Sequence, residues 1–109
     1  MDDTIREKLN ELVEAIQKSS EFDNFQAAER QVRSIPGLPD KIREFCWKNY
    51  KIQNSEAEDL CEQMEKFEAE YEEFRKNPVV EQYLEHELRM CRMLQEINGK
   101  VMDIVELVI

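Results

Sequence analysis

The last third of the chain, residues 77–109, constrains the fold most, because it predicts one long helix with more apolar surface than a small monomer can cover. Asn77 suits the N-cap position, and Pro78 suits the first helical position, where the missing N–H of proline costs nothing. Beyond them, apolar side chains recur mostly at steps of three and four residues, which places them on one side of a helix. A helix of this length spans roughly 45–50 Å, more than the width of a compact domain of this size. Its far end therefore needs a cover from elsewhere.

Charge and composition limit the classes of partner and of fold. The 109 residues include 15 Lys and Arg against 25 Asp and Glu, which gives a net charge of −10. Nucleic acids and anionic membranes attract clusters of basic residues, so we expect no direct contact with either. The chain has only 2 Gly and 3 Pro, whereas good helix formers are abundant. We therefore predict an all-α protein that folds as a single domain over residues 1–109.

The sequence offers neither a targeting signal nor a cofactor motif. Its acidic first residues lead straight into an amphipathic repeat, without the basic and apolar regions of a signal peptide. The apolar runs are too short to cross a bilayer, so we expect a cytoplasmic protein. Three cysteines, Cys46, Cys61 and Cys91, are too widely spaced for a zinc or redox motif. They are expected to be buried thiols, with no metal or other cofactor.

Five helices are predicted from the apolar repeats and from the breaks between them. The first covers residues 3–18 with one core-facing side, and the second begins after a pair of capping serines. Two prolines and a glycine within residues 34–39 force a turn, and an aromatic-rich third helix follows over residues 39–53. The fourth helix, residues 56–76, carries an apolar heptad seam, and the fifth is the long C-terminal helix. The seam consists of Ala57, Leu60, Met64, Phe67, Tyr71 and Phe74.

The long helix predicts self-association. If the chain turns back at residues 75–78, the fourth and fifth helices lie side by side, and the fourth ends opposite Ile97. Apolar residues continue beyond that level, and surface of this size rarely stays exposed, so we predict a homodimer. Gly99, which costs a helix about 1 kcal/mol relative to alanine, would then mark a close helix crossing or a local kink. The predicted dimer interface comprises Leu94, Ile97, Val101, Ile104, Val105 and Val108.

Acidic residues dominate the fourth helix outside its apolar seam. The simplest interpretation is a solvated face that keeps the protein soluble. The functional alternative is a docking surface for a basic partner protein, because a row of carboxylates attracts clustered Lys and Arg. The candidate residues for such a surface are Glu58, Glu62, Glu65, Glu72 and Glu73.

The last third also carries a family resemblance. An Asn-Pro helix start leads into a Tyr-Leu-x-x-Glu stretch and then into a Leu-x-x-Ile-Asn step, in the order found in the YlbF/YmcA family. The matching residues here are Asn77, Pro78, Tyr83, Leu84, Glu87, Leu94, Ile97 and Asn98. The earlier order of short amphipathic helix, proline-containing turn and aromatic third helix is similar to that family too.

The resemblance implies a small bacterial helical protein that regulates by binding other proteins and has no enzymatic activity of its own. Members of the YlbF/YmcA family are linked to competence, sporulation and biofilm formation, and some assist RNA processing by an endoribonuclease. The sequence itself agrees with a role other than catalysis, since it has no glycine-rich phosphate loop and no Ser-His-Asp set.

A different signalling role is suggested by the single histidine. The run from His86 to Arg89 resembles the His-x-Leu-Lys core of histidine-phosphotransfer domains, which are helical bundles with an exposed phosphoryl-accepting histidine. The next position holds Met90, where those domains have a small glycine that gives the partner access. Phosphotransfer through His86 is therefore kept as the alternative to a regulatory binding protein.

Overall fold

In a computed structural model, residues 1–56 and 58–105 are described, and within them the chain forms six α-helices and no strand. The helices are α1 (Asp3–Gln17), α2 (Ser20–Arg33), α3 (Leu38–Gln53), α4 (Leu60–Glu70), α5 (Glu72–Lys76) and α6 (Pro78–Met102). The predicted all-α class is confirmed, and so is the long C-terminal helix. None of the helices in this described part combines the length and apolar character needed to cross a membrane.

Two helices begin where the sequence predicts their caps. Ser19 Oγ accepts a hydrogen bond from the N–H of Phe22 at 3.2 Å. Asn77 Oδ1 accepts one from the N–H of Val79 at 3.0 Å, and Pro78 is the first residue of α6. Each cap satisfies a first-turn N–H that has no partner inside the helix, which is why these boundaries could be predicted from local sequence.

The turn between α2 and α3 depends on Gly37. Its φ of 80° lies in the left-handed region, which glycine adopts without the steric cost that a Cβ would impose. The N–H of Leu38 then donates to the carbonyl of Ile35 at 3.2 Å, which closes the turn. As a result, Val32 of α2 and Leu38 of α3 enter the same core.

The predicted fourth helix is two helices in the structure. α4 begins at Leu60 rather than at residue 56, with Asp59 at the N-cap position, and it ends where φ and ψ of Tyr71 become −104° and 14°. The aromatic side of the predicted seam is nevertheless buried, since Tyr71 is 4% exposed and its ring lies 4.9 Å from that of Phe67. The break at Tyr71 therefore changes the direction of the chain without removing its apolar residues from the core.

Four aromatic rings form the centre of that core. Phe45 of α3 stacks on Phe67 of α4 at a centroid distance of 5.2 Å and meets Tyr71 edge-on at the same distance. The ring of Phe74 in α5 lies 5.4 Å from that of Phe45. All four side chains are at most 9% exposed. Ring pairs of this kind contribute about 0.5–1.5 kcal/mol each beyond area burial, so this aromatic cluster holds α3, α4 and α5 together.

The long helix α6 packs mainly on α2, whereas α4 packs on α3. Val80 of α6 is completely buried, and the ring of Tyr83 lies 5.8 Å from that of Phe25 in α2. The predicted side-by-side hairpin of the fourth and fifth helices is therefore wrong. The physical reason is the break at Tyr71 followed by the short helix α5, which turns the chain away from α4 before α6 begins.

The chain is more open than a folded monomer of its length. Its radius of gyration is 18.2 Å, whereas about 13 Å is typical of a compact domain of this size. Its accessible surface is 8967 Å², against about 6,400 Å² expected for a monomer of 13.1 kDa. A single copy thus leaves roughly 2,500 Å² more surface in water than a typical folded chain.

Candidate interaction surface

An exposed apolar stripe follows the C-terminal half of α6 and the turn after it. Leu94 is 46% exposed, Val101 56% and Ile104 83%. The predicted interface residues Leu94, Ile97, Val101, Ile104 and Val105 lie along this C-terminal stripe, and Val108 lies outside the described residues. Ile97 is half-buried, and Val105 is exposed like the others. The stripe is available for contact with another molecule, as an interface would require.

The N-terminal helix α1 carries a second uncovered apolar stripe. None of its residues is buried, and Ile5, Leu9 and Val13 are 57%, 47% and 44% exposed. The main packing partner of α1 is α2. The prediction that this helix faces a core within its own chain is therefore wrong, although its amphipathic pattern is correct. The N-terminal stripe is defined here as Ile5, Leu9, Leu12, Val13 and Ile16.

The position of α2 explains why the C-terminal stripe is left open. Ser20 and Asn24, near the start of α2, line one groove together with Met93 and Glu96 of α6. The first turn of α2 therefore lies beside residues 89–96 of α6. Beyond that level no further turn of α2 is left to cover α6, and α1 is not among its main partners.

Gly99 lies within this open part of α6. A Cβ built at Gly99 would meet nothing within 4 Å, so no neighbour in the described chain requires a glycine there. The helix also continues through Gly99 as far as Met102. A close helix crossing at Gly99 would therefore have to involve a second molecule, and this crossing stays a prediction.

The candidate acidic residues are all exposed, but they do not share one helix. Glu58 lies in the turn before α4, Glu62 and Glu65 lie on α4, and Glu72 and Glu73 lie on α5. Lys76 Nζ lies 3.2 Å from a carboxylate oxygen of Glu72 and 3.7 Å from one of Glu73, which partly neutralises these two acids. Among the candidate acids of the described chain, those without an ion pair are therefore Glu58, Glu62 and Glu65.

A cleft of about 980 Å³ between α3 and α6 was not foreseen from the sequence. Tyr50, Leu88 and Cys91 line it together with Glu87, whose pKa is raised because burial disfavours the charged carboxylate. Burial and the nearby charge of Glu87 also raise the pKa of the Cys46 thiol. A raised thiol pKa suppresses the nucleophilic thiolate, so Cys46 is suited to packing rather than to cysteine chemistry. Sequence periodicity gave no signal for it, because the cleft is formed by residues of four helices, α3 to α6, that are distant in sequence.

A smaller groove of about 480 Å³ lies between α3 and α4 and is rimmed by Lys48, Lys51 and Lys66. Lys48 Nζ lies 3.0 Å from a carboxylate oxygen of Glu44 and 3.2 Å from one of Glu70. Hydrogen bonds with Tyr71 and with these two carboxylates raise the pKa of Lys48, which therefore links α3 to α4 as a cation. The groove brings three of the few basic residues of this acidic chain to one place, which only the packing of α3 on α4 reveals.

The three cysteines are more exposed than predicted. Cys46 is half-buried, whereas Cys61 and Cys91 are exposed, and all three are free thiols. The prediction of buried thiols is wrong for Cys61 and Cys91, because α4 and α6 are not paired along the seam that would have covered them. Over residues 1–56 and 58–105, no group of three or more His, Cys, Asp and Glu side chains is arranged to hold a metal ion.

The single histidine lies on α6 and is half-buried. Glu85 and Glu87 are the neighbours of His86 in the sequence, so the local charge along this part of α6 is negative. Arg89 Nη2, the nearest cation along the helix, is committed to Glu85 at 2.8 Å. This setting is unfavourable for a group that would have to project into solvent and accept a phosphoryl anion.

Comparison with known proteins identifies the family. A family described as "Control of competence regulator ComK, YlbF/YmcA" matches residues 5–106. The chain is similar to a UPF0342 protein of Desulfitobacterium hafniense, with 28% identity over 98 residues that cover 87% of this chain and 79% of that protein. A UPF0342 protein of Caldicellulosiruptor bescii is 24% identical over 99 residues, which cover 88% of this chain and 83% of the relative. No solved structure gives a significant match. Because the family match extends over nearly the whole sequence, the chain belongs to the YlbF/YmcA family of regulators of competence.

Proposed function

We propose that this protein is a non-enzymatic cytoplasmic regulator that works as a homodimer and binds other regulatory proteins. Membership of a family described by its control of a competence regulator supports the regulatory role. The observation that carries the proposal is the uncovered C-terminal stripe of α6, with Val101 56% and Ile104 83% exposed. Apolar surface of this kind marks an interaction site on a soluble chain. The processes served are those expected from the family resemblance: competence, sporulation, biofilm formation or assistance of RNA processing.

The amount of exposed surface supports a dimer in particular. Each copy leaves roughly 2,500 Å² more surface in water than a typical monomer of its mass, so two copies have about 5,000 Å² to bury together. Permanent dimers bury about 2,000–5,000 Å² in total. Even a dimer that covered half of the excess would lie within this range.

The acidic residues of α4 and α5 supply the proposed docking surface for a basic partner protein. Glu62 and Glu65 are exposed on α4, which the aromatic cluster joins to α3 and α5. α4 is not among the main packing partners of α6, so Glu62 and Glu65 remain available to a partner in a dimer formed through α6. The net charge of −10 supports a basic protein as the partner and disfavours direct binding of nucleic acid or an anionic membrane.

The proposal is tested by the solution mass of the wild type and of Ile104→Glu, measured by light scattering at several concentrations. The wild type is expected to have twice the mass of one 13.1 kDa chain, and Ile104→Glu that of a single chain. Gln95→Glu is the control, because it adds the same carboxylate to the C-terminal half of α6 away from the apolar stripe. A wild type that stays monomeric at high concentration would overturn the homodimer.

A further inference from the structure

The two uncovered apolar stripes of the molecule match each other in length and in repeat. On α1, the stripe recurs at steps of four, three and four residues, through Ile5, Leu9, Leu12 and Ile16. On α6 and the turn after it, the steps are three, four and three, through Leu94, Ile97, Val101 and Ile104. At about 1.5 Å per residue, each stripe is roughly 15–17 Å long. Both follow the alternation of three and four that allows two helices to pack as a coiled-coil seam.

The charges beside the two stripes have opposite signs. With its two caps, α1 contains five acids against three cations, Arg6, Lys8 and Lys18. From Arg89 to the C-cap of α6 the balance is reversed by a small margin, since Arg89, Arg92 and Lys100 stand against the acids Glu96 and Asp103. In a chain whose net charge is −10, a basic segment is an exception, and an acidic helix is the complement that it favours.

Within one copy, these complementary stripes do not cover each other. The main contacts of α1 are with α2, and those of α6 are with α2 and α5. Leu9 of α1 is 47% exposed and Val101 of α6 is 56% exposed, so both stripes face solvent in the single chain.

We infer that α1 of one copy packs on the C-terminal stripe of α6 of a second copy, and that the second copy returns the same contact. This inference rests on the homodimer proposed above and specifies its contact. A contact between two α6 helices alone would bury the C-terminal stripes but leave both α1 helices bare. The reciprocal exchange covers all four stripes and closes on itself, as a twofold dimer requires.

The inference is tested by mixing two variants, Leu9→Lys on α1 and Val101→Glu on α6. Each variant alone breaks both contacts of its own dimer, so each is expected to have the mass of one chain. A mixed dimer holds one contact with no substitution, and the other contact carries both substitutions as a Lys–Glu pair. Equal mixing is therefore expected to restore a species of twice the mass. Asn10→Lys and Gln95→Glu are the controls on the same two helices, and circular dichroism checks that all variants remain helical.

The outcomes separate this contact from the proposed dimer itself. If both variants are monomeric and mixing does not restore the double mass, the exchange is overturned. Such a result indicates that α1 pairs with α1, or α6 with α6, across the dimer. The exchange would also fail if Leu9→Lys stayed dimeric while Val101→Glu became monomeric, although the homodimer would then stand. A monomeric wild type would instead remove the homodimer, and the exchange with it.

Discussion

The aromatic cluster and the two exposed apolar stripes of this protein follow the same sequence pattern, but the cluster is buried and the stripes are exposed. Phe45, Phe67, Tyr71 and Phe74 recur at three- and four-residue steps or face each other across helices, and each is at most 9% exposed. The apolar residues of α1 recur at the same steps, and none of them is buried. A helical repeat therefore indicates that a face will be covered, but it does not say whether the cover belongs to the same chain.

The two regions also differ in what their residues can stabilise. The aromatic cluster joins α3, α4 and α5 inside one copy, so its contribution to stability is independent of protein concentration. Covering the open stripes would require another molecule, so their contribution depends on concentration. Substitutions in the aromatic cluster should change the stability at every protein concentration. Substitutions in the stripes should instead change how stability depends on concentration.

The largest effect is expected from Phe45→Ala. Phe45 is 6% exposed and contacts three other aromatic rings, so its removal leaves a cavity at the centre of the core. The free energy of unfolding, measured with urea, is expected to fall by about 3–5 kcal/mol. Phe45→Leu keeps most of the volume and should lose less, which makes the comparison measurable if the alanine variant does not fold.

Trp47→Ala is the matched control on the same helix. Trp47 is 58% exposed and contacts mainly the ring of Tyr50, at 5.9 Å, and the ammonium of Lys51. Its removal should cost less than about 1 kcal/mol. Equal losses for Phe45→Ala and Trp47→Ala would mean that the aromatic cluster is not the centre of stability.

The second effect is the dependence of stability on protein concentration. If folding and dimerisation are coupled, each tenfold increase in concentration raises the apparent stability of the wild type by about 1.4 kcal/mol. Val101→Glu should reduce this dependence, whereas Trp47→Ala should leave it unchanged. If the wild-type unfolding midpoint does not change with concentration, both regions contribute only to the stability of the single chain.

The elements that sequence could predict are those decided by neighbouring residues. The caps at Ser19 and Asn77 and the turn at Gly37 each depend on a side chain or backbone conformation within a few residues. The buried side of the fourth helix was also predictable, because Phe67 and Tyr71 lie on one repeat.

The partner of each apolar face could not be predicted, for a physical reason. The direction in which α6 leaves the core is set by the backbone at Tyr71, where φ of −104° and ψ of 14° end α4. No residue type marks such a break as glycine or proline would. The hairpin prediction followed from treating the helix as continuous there, and the predicted burial of Cys61 and Cys91 was wrong for the same reason.

For the interaction surface, sequence supplied the residues of the C-terminal stripe but not those of the N-terminal one. Val101 and Ile104 stood out because they extend past the end of a predicted partner helix. Ile5 and Leu9 did not, because a first helix with one apolar side normally packs inside its own domain. Only their exposure in the structure distinguishes the two cases.

The third effect contrasts Gly37, in the turn between α2 and α3, with Gly99, in the open part of α6. Gly37→Ala forces a Cβ into a left-handed conformation and is expected to cost about 1–2 kcal/mol. Gly99→Ala meets nothing within 4 Å in the chain, so within one copy it should stabilise the helix by up to about 1 kcal/mol. Urea unfolding at low concentration measures both.

The same glycine also tests the open stripe. Gly99→Leu should weaken association, measured by light scattering, more than it lowers helix content, measured by circular dichroism. Loss of both in equal measure would argue against a close helix crossing at Gly99, while a gain in both would show that the position is simply a weak point in α6.

The smallest effect concerns Glu87, which lines the cleft between α3 and α6. Burial raises the pKa of its carboxyl in the folded protein, so the folded state holds that proton more tightly than the unfolded state. The contribution of Glu87 to stability therefore falls as pH rises through the raised pKa, and it stays unfavourable at pH 7. Glu87→Gln removes this charge and should stabilise the protein at pH 7 by up to about 0.5 kcal/mol, with no gain below about pH 4.

Glu85→Gln gives the opposite sign and is the control for Glu87→Gln. Glu85 is exposed and its carboxylate lies 2.8 Å from Arg89, so its replacement removes a surface ion pair worth at most about 0.5 kcal/mol and should slightly destabilise the protein at pH 7. Urea unfolding of both variants at pH 7 and pH 4 checks the two signs. A stabilising Glu87→Gln beside a neutral or destabilising Glu85→Gln would show that the carboxyl of Glu87 is desolvated in the folded protein. If both variants behaved alike at every pH, the carboxyl of Glu87 would be as well solvated as that of Glu85.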